Sequence, residues 1–343
     1  MRKKLYSLLN FILLFGLCGC AGGEAAVQNA DAYTEVKDMD YIVVGYSQVG
    51  SESDYRIANT QSFMDTFTKE KGYYLLFDDA QNKQENQLKT VRSFILQEVD
   101  YIILDPVVET GWESILQEAR DAGIPVILSD RSVELEDDSL YTCWVGSNFQ
   151  EEGENAGKWL ADYLKQQGMD TVNIVALQGT LGSTAQIGRT KGFEAVCRQH
   201  PEWNLLESRP ADFTQAKGKE VMEDFLRLYE DIDVVISEND NMTFGAIDAI
   251  EQAGKTCGPD GDICIISFDA VQAALIAMQN GKINADFECN PLLAPKVEEV
   301  IRRLEKGEQV EKMQYIDETY YDSSMDLSKV IDQERNGNEN GEF

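Results

Sequence analysis

Short apolar runs along this chain end, again and again, in small clusters of polar, hydrogen-bonding residues. Tyr41–Tyr46 runs into Ser47 and Gln48, Tyr101–Leu104 into Asp105 and Pro106, and Val126–Leu128 into Ser129, Asp130 and Arg131. Farther on, Asn173–Leu177 meets Gln178 and Gly179, Val234–Ile236 meets Ser237, Glu238, Asn239 and Asp240, and Ile263–Ser267 meets Phe268 and Asp269. Apolar runs of this length suit strands buried on both faces of a parallel sheet. Open α/β sheets take their ligands in the crevice beyond the carboxyl ends of the strands. Polar groups gathered at that edge in two separate stretches predict a polar small molecule held between two sheets.

Helical patterns fill the intervals. Tyr55–Lys71, Lys83–Gln97 and Gly111–Ala122 alternate with strands at Tyr41–Tyr46, Tyr74–Phe77, Tyr101–Leu104 and Val126–Leu128, which makes one doubly wound half. Gly123, Ile124 and Pro125 stop the third helix and start the fourth strand, since Gly caps a helix and Pro cannot continue one. After an apolar run at Cys143–Ser147 a second series begins, with helices at Glu151–Lys165, Thr184–Gln199, Lys217–Tyr229 and Met242–Ala253 and strands at Thr171–Leu177, Asp233–Ser237, Ile263–Ser267 and Ala285–Glu288. Pro291–Leu304 is a helix with Pro in its first turn, and Gln314–Tyr321 reads as a last strand. The expected fold class is α/β, with two doubly wound parallel-sheet lobes. The chain passes between them near Val145 and again near Glu288, so the lobes share a hinge and can close on a ligand.

At 343 residues the chain can bury one large core or two ordinary ones, and its 43% hydrophobic content is that of a globular protein. Arg2, Lys3 and Lys4 precede the mostly apolar Leu5–Leu17, the pattern of a targeting leader too short to be a comfortable membrane span. Leu17, Cys18, Gly19 and Cys20 are similar to a bacterial lipobox with Cys20 as the lipidated residue; an ordinary cleaved secretory peptide is the other reading. The polar stretch Gly22–Asp40 then serves as a tether. Losing the three basic leader residues takes the formal charge from −31 to −34, a field that repels phosphate backbones and excludes nucleic-acid binding. Beyond Cys18 and Cys20 the cysteines are Cys143, Cys197, Cys257, Cys264 and Cys289, without a CxxC pair that would suggest zinc. Cys257 and Cys264 either pair across a turn or stay buried and free.

Candidate site residues lie where strands end. Asp130 and Arg131 set a carboxylate beside a guanidinium fork, which suits adjacent hydroxyls on a sugar and equally a surface ion pair. Asn239 offers a donor and an acceptor on one amide, while Asp240 beside it can cap the following helix; Asp269 has the same ambiguity. Arg189 matters only if its helix starts at the cleft. Phe213, in a loop after Ala211 and Asp212, can stack on the C–H face of a sugar. Tyr55 and Arg56 open the first helix after Glu52. Trp112 and Trp159 read as packing residues. No G-x-S-x-G elbow, P-loop or histidine cluster appears, and Gly179–Gly182 lacks the spacing of a dinucleotide loop.

At these residues the chain resembles the periplasmic sugar-binding proteins of ABC transporters, in the ribose/galactose-type branch, and most closely the galactofuranose-binding lipoproteins. The resemblance runs from Tyr41 to about Tyr321 and is carried by GYSQVGSESDYR (Gly45–Arg56), DAQNKQENQ (Asp79–Gln87), ILDPVVETGW (Ile103–Trp112), PVILSDR (Pro125–Arg131), LQGTLGS (Leu177–Ser183), ADFTQAKGKEVME (Ala211–Glu223) and ECNPLL (Glu288–Leu293). It implies a type I periplasmic binding protein fold, with Glu52, Arg56, Asp130 and Arg131 binding sugar from one lobe and Arg189, Asn239 and Asp269 from the other. Phe213 would stack on the sugar, and Tyr55 stands where the subfamily tends to show Trp. Glu288 and Asn290 at the second crossing are further contacts, and a third crossing is implied near Lys312–Gln314.

The implied organisation is residues 1–19 as lipoprotein signal peptide, 20–39 as tether, 40–146 with 290–312 as the N-terminal lobe, 147–289 with 313–330 as the C-terminal lobe, and 331–343 as a flexible tail. The expected function is capture of a monosaccharide, without cofactor or catalysis, by a monomer held through Cys20 on the outer face of the cell membrane, periplasmic if the cell is Gram-negative. Delivery would be to an ABC permease and its ATPase. A sugar-sensing subunit that presents its closed form to a chemoreceptor or histidine kinase is the alternative. An extracellular carbohydrate-active enzyme is a third reading. A LacI-type repressor shares the core fold but would carry a basic helix-turn-helix where this chain has a leader.

Overall fold

The computed structural model describes residues 41–332. The leader, Cys20, the tether and the tail from Gln333 lie outside the described residues. Among those described, no helix is long and apolar enough to cross a membrane.

The apolar runs become two six-stranded sheets. The first is built from β1 (Ile42–Gln48), β2 (Tyr73–Asp79), β3 (Tyr101–Leu104), β4 (Val126–Ser129), β5 (Cys143–Gly146) and β11 (Met313–Tyr315), in the order β11-β5-β4-β3-β1-β2, every pair parallel. The second is built from β6 (Val172–Gln178), β7 (Trp203–Pro210), β8 (Val234–Ser237), β9 (Cys264–Asp269), β10 (Ala285–Glu288) and β12 (Tyr320–Asp322), in the order β12-β10-β9-β8-β6-β7, with only β12 antiparallel. Central strands such as β3, β4 and β8 are buried at every residue, as their unbroken apolar sequence requires. This is the type I periplasmic binding protein architecture, α/β with two lobes.

Helices α1 (Asp54–Thr66), α2 (Gln84–Leu96), α3 (Glu113–Asp121) and α9 (Ala294–Glu305) flank the first sheet. Val297, Val300 and Ile301 of α9 pack with Val44, Ile103 and Ile127 in one core. Helices α4 (Phe149–Gln167), α5 (Thr184–Cys197), α6 (Gln215–Leu228), α7 (Asp240–Gln252) and α8 (Gln272–Gln279) flank the second. Leu160 and Phe193 cover one face of that sheet, while Phe225 and Ile250 cover the other.

Many of the polar residues at strand ends are helix caps. Ser53 accepts from the Arg56 N–H, Asn148 from that of Glu151, Ser183 from Gln186, Thr214 from Lys217 and Asn239 from Met242. Each capped helix therefore starts at the carboxyl edge of its sheet. That is the edge at which a ligand can be met.

Several elements depart from the sequence reading. The first helix stops at Thr66, and a separate 3₁₀ turn spans Lys69–Lys71. β7 was missing from the expected strands. It is an edge strand of mostly half-buried residues, so Glu207, Ser208 and Arg209 interrupt the apolar pattern that marks the central strands. The single strand expected at Gln314–Tyr321 is two short ones, one in each sheet. β11 pairs Met313 with Trp144 and Tyr315 with Gly146, so residues 313–315 belong to the first lobe rather than the second. The third crossing falls at residues 316–319, not near Lys312–Gln314. Trp112 is core, and Cys143, Cys197, Cys257, Cys264 and Cys289 are all free thiols.

Candidate functional site

The two carboxyl edges face each other across a narrow cleft. Its lining comes from both lobes: Glu52, Tyr55, Arg56, Asp130 and Arg131 on one side, Arg189, Phe213, Asn239 and Asp269 on the other. Of the ten expected site residues only Glu288 is absent from the wall. Its carboxylate accepts from the Thr319 N–H at 2.9 Å and ties the second crossing to the third. Side chains alternate along a strand, so the next residue, Cys289, faces the cavity instead. Asn290 is likewise occupied with local backbone, its Oδ1 accepting from the Leu292 N–H.

In the first lobe, Arg56 is gripped by three carboxylates. Its Nε donates to Glu52 Oε1 at 3.3 Å, Nη1 to Asp105 Oδ2 at 3.2 Å and Nη2 to Asp130 Oδ2. Asp105 sits behind the wall, where burial pushes its carboxyl up to about 7 although Arg56 pulls the other way. The Tyr55 hydroxyl donates to Asp130 Oδ1 at 3.0 Å. Asp130 is therefore aimed from two directions, and it holds a left-handed φ of 56°, a conformation that costs a non-glycine residue. Arg131 is less well provided. Nη1 donates to the Val107 carbonyl at 3.2 Å and Nη2 lies 3.5 Å from Glu52, but Nε, 4.0 Å from Asp130 Oδ2, has no hydrogen-bond partner. Glu52 Oε2 is unpartnered as well. Buried groups left without a hydrogen bond are costly, and both belong to residues that line the cleft.

In the second lobe, Arg189 projects from the first turns of α5, which does start at the cleft. Nε donates to Glu152 Oε2 at 2.7 Å, Nη2 to Asp269 Oδ1 at 3.4 Å and Nη1 to the Glu238 carbonyl. Phe149 and Phe268 flank its guanidinium, with ring centroids 5.4 and 4.9 Å away. Burial pushes the Asp269 carboxyl well above the usual range against the pull of Arg189.

Asn239, rather than Asp240, is the cap of α7. Its Oδ1 accepts from the Met242 N–H at 2.9 Å and its Nδ2 donates to the Phe213 carbonyl at 3.2 Å. One donor and one acceptor of the amide remain for a ligand. Asp240 is buried behind, accepting from Ser267 Oγ and the Val271 N–H. Phe213 holds a φ of 59° and lies against Gly179, where a Cβ would come within 1.9 Å of the ring. That is the use of the glycine after β6: it seats the aromatic. Across the cleft the Arg131 guanidinium rests 5.2 Å from the Phe213 ring centroid.

A match to the periplasmic binding protein domain covers residues 44–290. The chain belongs to this family. This binding protein is 41% identical to the galactofuranose-binding protein YtfQ of Escherichia coli (strain K12) over 284 residues, 82% of this chain and 87% of that one. It is 29% identical to the ribose import binding protein RbsB of Salmonella typhimurium over 72% of this chain and 79% of the relative. Among solved structures, the binding component of an arabinose ABC transporter from Shewanella sp. ANA-3, bound to α- and β-L-arabinofuranose, aligns with a TM-score of 0.81 and 40% identity, covering 88% of this chain and 98% of that one. These relatives bind solutes and are not enzymes, and neither is this protein.

Sequence reasoning missed four wall residues of the binding protein: Ser53, Phe149, Ala185 and Cys289. Ser53 and Phe149 had a readable signal, since one is a helix cap and the other begins a helix beside a lobe crossing. Among the described residues, one group joins carboxylates to a thiol, Glu152, Cys289 and Glu318, with their atoms within 4.8 Å of one another. It contains no histidine and Arg189 already supplies positive charge to Glu152, so it reads as a buried joint rather than a cation site.

Proposed function

We propose that this protein captures an uncharged monosaccharide, galactofuranose or a related pentose or hexose, between its lobes and hands it to an ABC importer while anchored to the membrane through Cys20. The observation that carries the ligand class is the composition of the cavity wall. Three guanidinium groups (Arg56, Arg131 and Arg189) stand among three carboxyl groups (Glu52, Asp130 and Asp269), with Phe213 as a flat apolar face. Charges so matched neither attract nor demand a charged ligand, yet they present donors and acceptors in pairs, as vicinal hydroxyls require. The names of the relatives, which bind galactofuranose, ribose and arabinofuranose, support the same class. Tyr55 adds a hydroxyl that holds Asp130, so the wall beside the ligand is polar where a larger aromatic would make it apolar.

Hydrogen bonds to charged groups contribute about 1.5–3 kcal/mol each, so a handful drawn from both lobes supports micromolar binding after ordering costs. Only the closed form offers both walls at once, which makes closure the signal a permease can read. A calorimetric panel of monosaccharides, including L-arabinose and D-galactose equilibrated between ring forms, tests the ligand. Binding of amino acids or peptides without sugars would overturn the class. Cys20→Ser should release the protein from membranes if the anchor is as proposed.

A further inference from the structure

A single carboxyl ties the hinge. Glu318 lies in the third crossing, and its Oε1 accepts from Ser147 Oγ at 2.6 Å in the first crossing and from the Asn290 N–H at 2.8 Å in the second. Ser147 Oγ also lies 3.3 Å from Cys289 Sγ, whose residue lines the sugar cavity. Every connection between the lobes thus meets at one side chain, one residue away from the ligand wall.

We propose that Glu318 is a proton-sensitive clasp of the hinge, so that closing on the ligand is favoured while its carboxyl is neutral and weakens once it ionises. The inference rests on the sugar-binding reading above. The groups facing Glu318 are Ser147 from the first crossing, Cys289 and the Asn290 N–H from the second, Glu152 from α4 and, beyond it, Arg189 from α5. Burial pushes its carboxyl up to about 8 and the Glu152 charge adds to this; Ser147, the Asn290 N–H and Arg189 pull the other way. Opening loosens the three crossings and lets water reach Glu318, which returns it toward the ordinary carboxylate value. A carboxyl held above that value only in the closed form favours closure at low pH. The advantage falls as pH rises through about 8 and is gone above it.

The test is calorimetric titration with L-arabinose and D-galactose at two pH values, roughly 6.5 and roughly 9, on either side of the clasp's titration. Wild type and Glu318→Gln are compared, with small-angle scattering of the ligand-free proteins at the same pH values. If the clasp differs between forms by one pKa unit, wild-type affinity falls about tenfold at the higher pH. The Gln variant keeps an accepting oxygen and cannot ionise, so its affinity should agree at both within about twofold. Equal wild-type affinities, or a loss that persists in Glu318→Gln, overturn the proposal. Glu238, also pushed up to about 8 by burial, and Asp105, pushed up to about 7, are the other candidates in this window, and a loss abolished by Glu238→Gln or by Asp105→Asn alone overturns it too. Ser147→Ala removes a bond that favours the charged form, so the midpoint of the loss should move to higher pH; an unmoved midpoint contradicts the clasp. If neither sugar binds at either pH, an expansion at the higher pH in wild type but not in Glu318→Gln sinks the ligand reading and leaves the clasp standing. No expansion sinks both.

Discussion

Arg131 and Arg189 line one cavity yet differ in how the fold holds them. Arg189 is fully committed, with Glu152, Asp269 and the Glu238 carbonyl each taking a bond. Burial works against its charge, but Glu152 and Asp269 outweigh that and hold it above the ordinary arginine value. Arg189→Ala leaves those carboxyls buried without compensation, which costs about 3–5 kcal/mol. It should therefore lower the melting temperature and abolish binding together. Arg131 is instead held below its ordinary value, first by burial and then by Arg56, and its Nε makes no hydrogen bond. Arg131→Ala should abolish sugar binding at a smaller cost in stability than Arg189→Ala, measured in urea, because it gives up one bond to the Val107 carbonyl and a 3.5 Å pairing with Glu52 where Arg189 gives up two carboxylates and a carbonyl. A large loss of stability without loss of binding would reverse these assignments. The left-handed φ values at Asp130 and Phe213 are a local cost kept at two residues of the cleft wall.

At the scale of elements, the placement of Arg189 depends on how closely α4 and α5 approach. A Cβ at Gly153 would stand 2.2 Å from the Arg189 carbonyl oxygen, and one at Gly192 would stand 2.1 Å from that of Gln150. Alanine in an exposed helix gains about 1 kcal/mol over glycine, but here the overlap is with backbone that cannot rotate away. Forcing the helices apart costs about 1–3 kcal/mol, so packing wins over propensity. Gly153→Ala should lower both stability and sugar affinity, measured by melting and titration, with the affinity loss arising from a displaced guanidinium. Unchanged affinity would mean that α5 tolerates the shift. This dependence was not legible in the sequence, where Gly153 and Gly192 look like weak points in two helices. The central strands and the wall residues Asp130, Arg131 and Asp269 were legible, because burial on both faces leaves a continuous apolar run whose end is easy to see. β7 was hidden since an edge strand buries only part of itself, and Glu288 was misplaced because neighbouring residues at a strand end face opposite ways.

For the whole molecule, three of the hydrogen bonds that join the lobes lie at the rim of the cleft. The Glu109 N–H donates to the Gly182 carbonyl at 2.9 Å, the Ser132 N–H to Thr184 Oγ1 at 3.0 Å and the Asp54 N–H to Asn241 Oδ1 at 3.0 Å. Each joins one lobe to the other without belonging to the cavity wall as a ligand group. A net hydrogen bond contributes about 1 kcal/mol, so three of them bias closure without locking it, and the ligand decides the population. Glu318 acts on the same equilibrium from the hinge side, through the connections rather than the rim. Thr184→Val keeps the shape of the side chain and removes its acceptor, leaving the Ser132 N–H unmatched only when the lobes are shut. Affinity for whichever sugar binds should fall about fivefold, through faster dissociation, with the melting temperature of the ligand-free protein unchanged. The same variant should leave the contribution of each wall residue intact, so combining it with Arg56→Lys gives additive losses; strong non-additivity would show that rim and wall are one unit.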